Sequence, residues 1–275
     1  MSFNKTQKWS GVIVAVAVLG LSVARADIRD TIQNATSGTT VSVSGTYTVS
    51  PMKVPAGVTV KGPATFKFND NTRDGFTMKG ANASLQSLTI SGANRAVNIY
   101  ASGVNISACT ATGNTDTGFN CDGSSNDTIS GCTAYGNADT GGASGGNADG
   151  FTAKSDAGSG IKFSNDTAHD NSDDGFDFYE ATAPVVVTGC QSYNNGSYAG
   201  LTGNGDGFKM GGQYNVAHSY TSCIAHNNTT GSTARGFDTN HNTAKIALTT
   251  CHSYSNKNPD VLGNSVLSNC TMQTN

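Results

Sequence analysis

One register constrains this chain more than any other feature: a small residue followed five positions later by Asn. It recurs as Cys109/Asn114, Cys132/Asn137, Asp166/Asn171, Cys190/Asn195, Cys223/Asn228, Cys251/Asn256 and Cys270/Asn275. An apolar residue stands three before the small one at Ile106, Ile129, Phe163, Val187 and Leu248, and Tyr220 and Leu267 occupy the same place. The small residues are 23, 34, 24, 33, 28 and 19 positions apart. Such periods, with short strands, Gly-rich corners and no helical segment, describe a solenoid whose coils bury their apolar faces only by stacking. The expected fold is all-β: a single-stranded right-handed parallel β-helix from roughly residue 38 onward, preceded by a short N-terminal capping helix over 27–35 on Ile28 and Ile32. The 34 Gly and 5 Pro, with abundant Asn, Ser and Thr, suit its many tight turns.

Coils of this kind stack at the inter-strand spacing of about 4.8 Å, so equivalent residues form ladders along the axis. The Asn column is therefore expected as an internal amide ladder. Six of the seven Cys are expected as a buried stack of small apolar residues, not as disulfides. A second register is Gly-Phe, at 75/76, 118/119, 150/151, 175/176, 207/208 and 236/237. With Phe inward, the next residue points out, which selects Asn120, Thr152, Asp177, Lys209 and Asp238 on consecutive coils. The residue before Gly is Thr117, Asp149, Asp174, Asp206 and Arg235. Strict alternation would put Asp174 and Asp177 on opposite faces, so Asp174 is expected in the turn entering the strand.

The gap between the Asn column and the Gly-Phe strand is 4, 13, 4, 12 and 8 residues on successive coils, so all extra length enters one corner. The short coil carrying Asp173 and Asp174 lies between two long ones. Residues 138–148 and 196–205 are expected to wall a recessed acidic floor on either side.

Asp149, Asp173, Asp174 and Asp177 converge on that floor from neighbouring coils. Four ionised carboxylates share a small volume only if cations compensate them, and hard oxygen ligands on Gly-rich turns suit Ca²⁺. A solvated acidic turn is the plainer alternative, but the recruitment of Asp149 from another coil and the proximity of Lys209 to Asp177 weigh against it. Asp206 is either a further ligand or a partner of Lys209.

The chain begins with Lys5 and Lys8, an apolar run from Val12 to Val23, and Ala24, Arg25, Ala26, the shape of a secretory signal peptide over 1–26 with cleavage before Asp27. The apolar run is too short for a membrane anchor. The expected domain is 27–275, a secreted monomer. Without the leader the formal charge moves from -3 to -6, from 13 Lys+Arg against 19 Asp+Glu, which excludes a nucleic-acid surface. An acidic polymer would need cations to approach such a protein.

DGF at 149–151, DDGFD at 173–177 and GFK at 207–209, on a β-helix, resemble the pectate lyases of polysaccharide lyase family 9. The resemblance is specific over 147–212 and architectural elsewhere. It implies a catalytic Ca²⁺ held by four Asp, here Asp149, Asp173, Asp174 and Asp177, and a Lys base, here Lys209. It further implies β-elimination on a 4-linked uronate polymer such as polygalacturonate, an acidic polysaccharide. Arg235 and Lys154, on neighbouring coils, are candidates for binding substrate carboxylates. Two other readings stay open: a β-helical glycoside hydrolase with paired carboxylates and no metal, and a non-catalytic carbohydrate-binding or structural solenoid with a stabilising Ca²⁺ site.

Overall fold

The computed structural model describes residues 27–142 and 144–274, together with the backbone of Val12–Val14. Each full coil contributes three short strands to a parallel β-helix. One eight-stranded parallel sheet runs through Met52–Val54, Phe76–Met78, Val97–Ile99, Phe119–Asp122, Phe151–Lys154, Phe176–Asp177, Phe208–Lys209 and Phe237–Asp238. The apolar column before the Cys ladder forms a second face, through strands such as Thr128–Ser130 and Lys162–Ser164. The strands after the ladder, such as Thr133–Tyr135 and Thr167–His169, form a third. The bend between these two faces turns on one left-handed residue per coil, with φ of 51° at Ala108, 55° at Asn165, 53° at Ser222 and 55° at Thr250. Non-glycine residues adopt that conformation at some cost, so stacking against neighbouring coils must outweigh it.

The core fills the space between the faces. Phe119, Phe151, Phe176, Phe208 and Phe237 stack with ring centroids 5.2, 4.8, 4.8 and 4.8 Å apart, the inter-strand repeat made visible in side chains. Ile106, Ile129, Phe163, Val187, Tyr220 and Leu248 are buried opposite them. All seven cysteines are free, and those of the ladder stack as small residues, with Cys109 N–H donating to Cys132 Sγ at 3.4 Å. Asp166 replaces sulfur in this column and accepts from Cys132 N–H at 2.8 Å.

The amide ladder is continuous. Asn114, Asn137, Asn171, Asn195 and Asn228 each donate Nδ2–H to the Oδ1 of the next rung, at 2.9, 2.9, 3.0, 3.4 and 3.0 Å, ending on Asn256. The rung below Asn256 is not the one expected. Gln273 Oε1 accepts from Asn256 N–H at 2.7 Å and its Nε2 returns a bond to Asn256 O at 2.8 Å, while Asn275 lies outside the described residues. Gln fills the place because its longer side chain reaches back to the ladder from two residues earlier.

The capping helix forms over Ile28–Gln33, capped by the Asp27 carboxylate, with Ile28 and Ile32 buried on the first coil. The expected leader, residues 1–26, lies outside the described residues except for Val12–Val14, whose backbone pairs in parallel with Thr40–Ser42. Among the described residues no helix is long and apolar enough to cross a membrane.

The two long corners do not stand apart as separate walls. Ser197–Tyr198 and Leu201–Thr202 form a small antiparallel hairpin, and Thr202 N–H donates to Ser144 O at 3.3 Å. Both loops also bond the short coil beneath them, through Gly203 N–H to Ser172 O at 2.8 Å and Ser172 Oγ–H to Gly145 O at 3.0 Å. The bond between the loops and the bonds of both to the short coil join them into one rim over it.

Asn171 accepts from Asn137 N–H and Nδ2–H at 3.3 and 2.9 Å and donates to Ala134 O and Asn195 Oδ1, all buried. Asn171→Ala strands these partners without water. It is expected to cost about 3 kcal/mol or more in urea unfolding, and a loss below about 1 kcal/mol would show that the ladder contributes little.

Candidate functional site

The outer face of the eight-stranded sheet is a single column in register: Lys53, Thr77, Asn98, Asn120, Thr152, Asp177, Lys209 and Asp238. A second column enters each strand from its turn. There Asp149 Oδ1 accepts from Asp174 N–H at 3.1 Å, Asp174 Oδ1 from Asp206 N–H at 2.7 Å, and Asp206 Oδ1 from Arg235 N–H at 2.9 Å. One oxygen of each carboxylate is thus spent tying coil to coil, which frees the other. The turn position of Asp174 is the one expected, and it brings Asp149, Asp174 and Asp177 together with one oxygen from each within 4.8 Å of the others.

Two lysines lie among these oxygens. Lys154 Nζ is 2.8 Å from Asp149 Oδ2 and 2.9 Å from Asp177 Oδ2, while Lys209 Nζ is 3.2 Å from Asp174 Oδ2 and 3.4 Å from Asp177 Oδ2. Burial, with the neighbouring carboxylates, pushes Asp149 and Asp174 up to about 7. Burial acts on Asp177 too, but Lys154 and Lys209 outweigh it and hold this carboxyl below its ordinary value. Burial alone would lower both lysines. The surrounding carboxylates overcome it and keep both ammonium groups firmly protonated.

The donor set fits a hard divalent cation. Asp174 Oδ2 is buried and accepts no hydrogen bond, and its charge is met by the Lys209 ammonium at 3.2 Å, so this oxygen is free to turn to a divalent cation. Asp149, Asp174 and Asp177 would hold the ion.

Asp173 stands beside this trio, not in it. Its Oδ1 accepts from Asn204 N–H at 2.6 Å and anchors the rim, and burial with the fields of Asp174 and Asp149 drives it up to about 10. Asp206 is neither a ligand in this arrangement nor bonded to Lys209: its second oxygen accepts from Thr233 Oγ1–H at 2.9 Å. Arg235 pairs with Asp238 at 2.8 Å, one coil beyond Lys209, so it is already engaged. Lys154, a candidate for substrate carboxylates, is paired with Asp149 and Asp177.

A cavity of about 460 Å³ opens beside the floor, lined among others by Arg95, Asn120, Asn147, Lys154, Tyr179 and Lys209. Arg95 and Tyr179 escaped the sequence reading. The coil of Arg95 carries Ala96-Val97 in place of Gly-Phe, and Tyr179 follows the strand in a turn, with Lys209 Nζ 5.7 Å from its ring centroid.

Comparison with known proteins places these features in context. A family model described as "Pel9A-like, right handed beta helix region" matches residues 22–269. Pectate lyase L of Dickeya chrysanthemi is 37% identical over 117 residues, covering 41% of this chain and 27% of that protein. Pectate lyase L of Thermoclostridium stercorarium is 41% identical over 111 residues, covering 37% of this chain and 9% of that protein. The matches thus span about a quarter or less of these relatives' length. The crystal structure of pectate lyase Pel9A superposes with a TM-score of 0.77 at 24% identity, covering 87% of this chain and 71% of that one. A rhamnogalacturonan lyase superposes at 0.68 with 24% identity, covering 80% and 66%, and both likenesses establish the fold.

Two outcomes follow from the electrostatics. Asp149 and Asp174 titrate higher in the folded chain than the ordinary 3.8, so their contribution to metal-free stability falls as pH rises from 3.8 to about 7. Asp177, held low, and the two lysines, held high, do not titrate in that window. Ca²⁺ relieves the ionised carboxylates, so the Ca²⁺-induced rise in Tm is expected to be larger at about pH 8 than at about pH 5, and an equal rise would place the metal elsewhere. An ion held by these three carboxylates would also have to displace the Lys154 ammonium from Asp149 and Asp177. Lys154→Met is expected to raise Ca²⁺ affinity by about tenfold in calorimetry, and unchanged or weaker binding would show that this lysine does not compete.

Proposed function

Because the chain belongs to the Pel9A-like right-handed β-helix family, we propose that it is a Ca²⁺-dependent lyase that cleaves 4-linked uronate polymers of the polygalacturonate type by β-elimination. The carrying observation is Lys209, part-buried at the cavity edge, with its Nζ 3.2 and 3.4 Å from two of the three carboxylates that would hold the ion. Relatives named pectate lyase support the substrate class. Export through residues 1–26 and action as a monomer on extracellular polysaccharide complete the reading.

Asp149, Asp174 and Asp177, with Asp173 beside them, would hold Ca²⁺, whose charge would neutralise a uronate carboxylate and so acidify the adjacent C5–H. Lys209 Nζ takes that proton. The C5–H electron pair becomes the C4=C5 double bond, the C4–O4 bond breaks, and the leaving O4 acquires a proton from solvent. Lys209 must be neutral to act, and four carboxylates, Asp174, Asp177, Asp149 and Asp173, oppose this while they are uncompensated. Their engagement elsewhere is what lets the amine lose its proton. Lys154, once displaced, and Arg95 at the cavity wall are cations positioned to meet substrate carboxylates.

A glycoside hydrolase fits the geometry less well. Its acid and its base or nucleophile must be free to act on the scissile bond, whereas here two ammonium groups pair with the three clustered carboxylates.

Lys209→Ala is expected to lower elimination by at least about 10²-fold while Ca²⁺ affinity stays within a few fold. Lys209→Arg should fail equally, since a guanidinium stays protonated. Wild-type turnover, followed by ultraviolet absorbance of the unsaturated product, should climb from neutral to alkaline pH. Substantial activity in Lys209→Arg, or a flat pH profile, would assign the proton to another group.

A further inference from the structure

The charge of this chain is divided along the helix axis. Residues 27–100 carry seven basic side chains against four acidic ones, a formal +3, whereas residues 101–275 carry six against fifteen, a formal -9. The basic excess is not spread evenly over the first coils. Arg29, Lys53, Arg73 and Lys79 line one cavity of about 480 Å³ together with Tyr100.

Nearby carboxylates compensate this cluster only in part. Asp30 lies 3.7 Å from Arg29, and Asp74, among the described residues the one carboxylate lining the cavity, is drawn to Arg95 at 3.8 Å and to the Asn98 amide at 2.8 Å. Asp70 is occupied by Thr72. Among the described residues Lys53, Arg73 and Lys79 have no carboxylate within ion-pair distance. Like charges gathered without counter-charges repel one another, and an anionic ligand relieves that cost. The cavity also offers a ring: Tyr100 is 41% exposed, with Lys79 Nζ 5.1 Å from its centroid. A sugar can lay its apolar face on such a ring while a carboxylate at its edge meets the ammonium.

Position gives the cluster its meaning. Lys53 occupies the outward column of Asp177 and Lys209, five coils before Asp177, or about 24 Å at the inter-strand repeat. The intervening residues of that column, Thr77, Asn98, Asn120 and Thr152, are polar and uncharged; Asn98, Asn120 and Thr152 are buried, and Asp74, Asp116 and Asp122 beside them are engaged by Arg95 and the Asn98 amide. An extended chain could run along this face from the basic cavity to the carboxylate floor.

We propose that the cavity formed by Arg29, Lys53, Arg73, Lys79 and Tyr100 is a second, metal-independent binding site for acidic saccharide, which holds the distal part of a uronate polymer whose reacting residue lies at the Asp149/Asp174/Asp177 floor. The identity of the polymer rests on the function proposed above. The site itself rests on charge and geometry.

The test uses octagalacturonate and trigalacturonate in EDTA, titrated by calorimetry into the wild-type chain and into Lys53→Glu/Lys79→Glu. The wild type should bind the octamer without metal and lose it as salt is raised. The double variant should bind it at least about tenfold more weakly, while its Ca²⁺ affinity without saccharide is unchanged. With Ca²⁺ present, the variant's KM for polygalacturonate should rise while kcat and trimer cleavage stay as in the wild type. Lys53→Gln/Lys79→Gln serves where charge reversal lowers the melting temperature. No octamer binding by the wild type in EDTA, or equal binding by the variants, overturns the site, and normal lyase turnover alongside that result leaves the proposed reaction standing. Lost binding in the variants with no turnover in any form does the reverse.

Discussion

Each coil hydrogen-bonds in register to the coils before and after it, so no side chain's surroundings are independent of its equivalents one spacing away. Apolar columns profit from this, as the Phe stack at 4.8 Å does, and amide columns profit because Asn carries both a donor and an acceptor. Carboxylates do not. Two ionised groups one inter-strand repeat apart repel by about 3 kcal/mol at an effective dielectric of 20. The outer face therefore tolerates Asp149, Asp174 and Asp177 only because cations interleave with them, and in this chain Lys154 and Lys209 do so.

The two lysines solve the same problem in different ways. Lys154 bridges two carboxylates from within the cluster, in the place a divalent ion would take, whereas Lys209 flanks the cluster from the next coil and faces the cavity. A buried pair of opposite charges is costly to form and costlier to break. The floor is not left bare: both lysines supply counter-charge to it. The rim above it is pinned by Asp173 through Asn204.

The columns from residue 109 onward were legible because both registers are local: a small residue with Asn five later, and Gly-Phe. That was enough to bring Asp149, Asp174, Asp177 and Lys209 onto one face. The coils at Met52–Val54 and Val97–Ile99 enter their strands through Pro51 and Ala96, so Lys53 and Asn98 were hidden from the same pattern. Spacing also says nothing about where a long side chain folds back, so the pairing of Lys154 with Asp149 and Asp177, and of Arg235 with Asp238, is not legible in it. Nor does it report contacts between loops. The two long corners read as separate walls until their shared hydrogen bonds with Ser144 and Ser172 were seen. The ladder's last rung failed for a related reason, since Gln273 reaches a place that counting had given to Asn275.

The corner between the Asn ladder and the Phe strand takes 4 residues on some coils and 12 or 13 on others, yet the amide bonds from Asn137 to Asn171 and from Asn171 to Asn195 remain 2.9 and 3.0 Å. Loop closure grows only slowly more costly with length, so this corner can gain or lose residues with little penalty to the frame. Extra length there builds the rim above the floor, while the bonds from Asp174 N–H to Asp149 and from Asp206 N–H to Asp174 keep the carboxylate column in register. The architecture in this way confines innovation to one edge: a lineage can remodel what the groove admits, coil by coil, while the machinery beneath keeps its pitch.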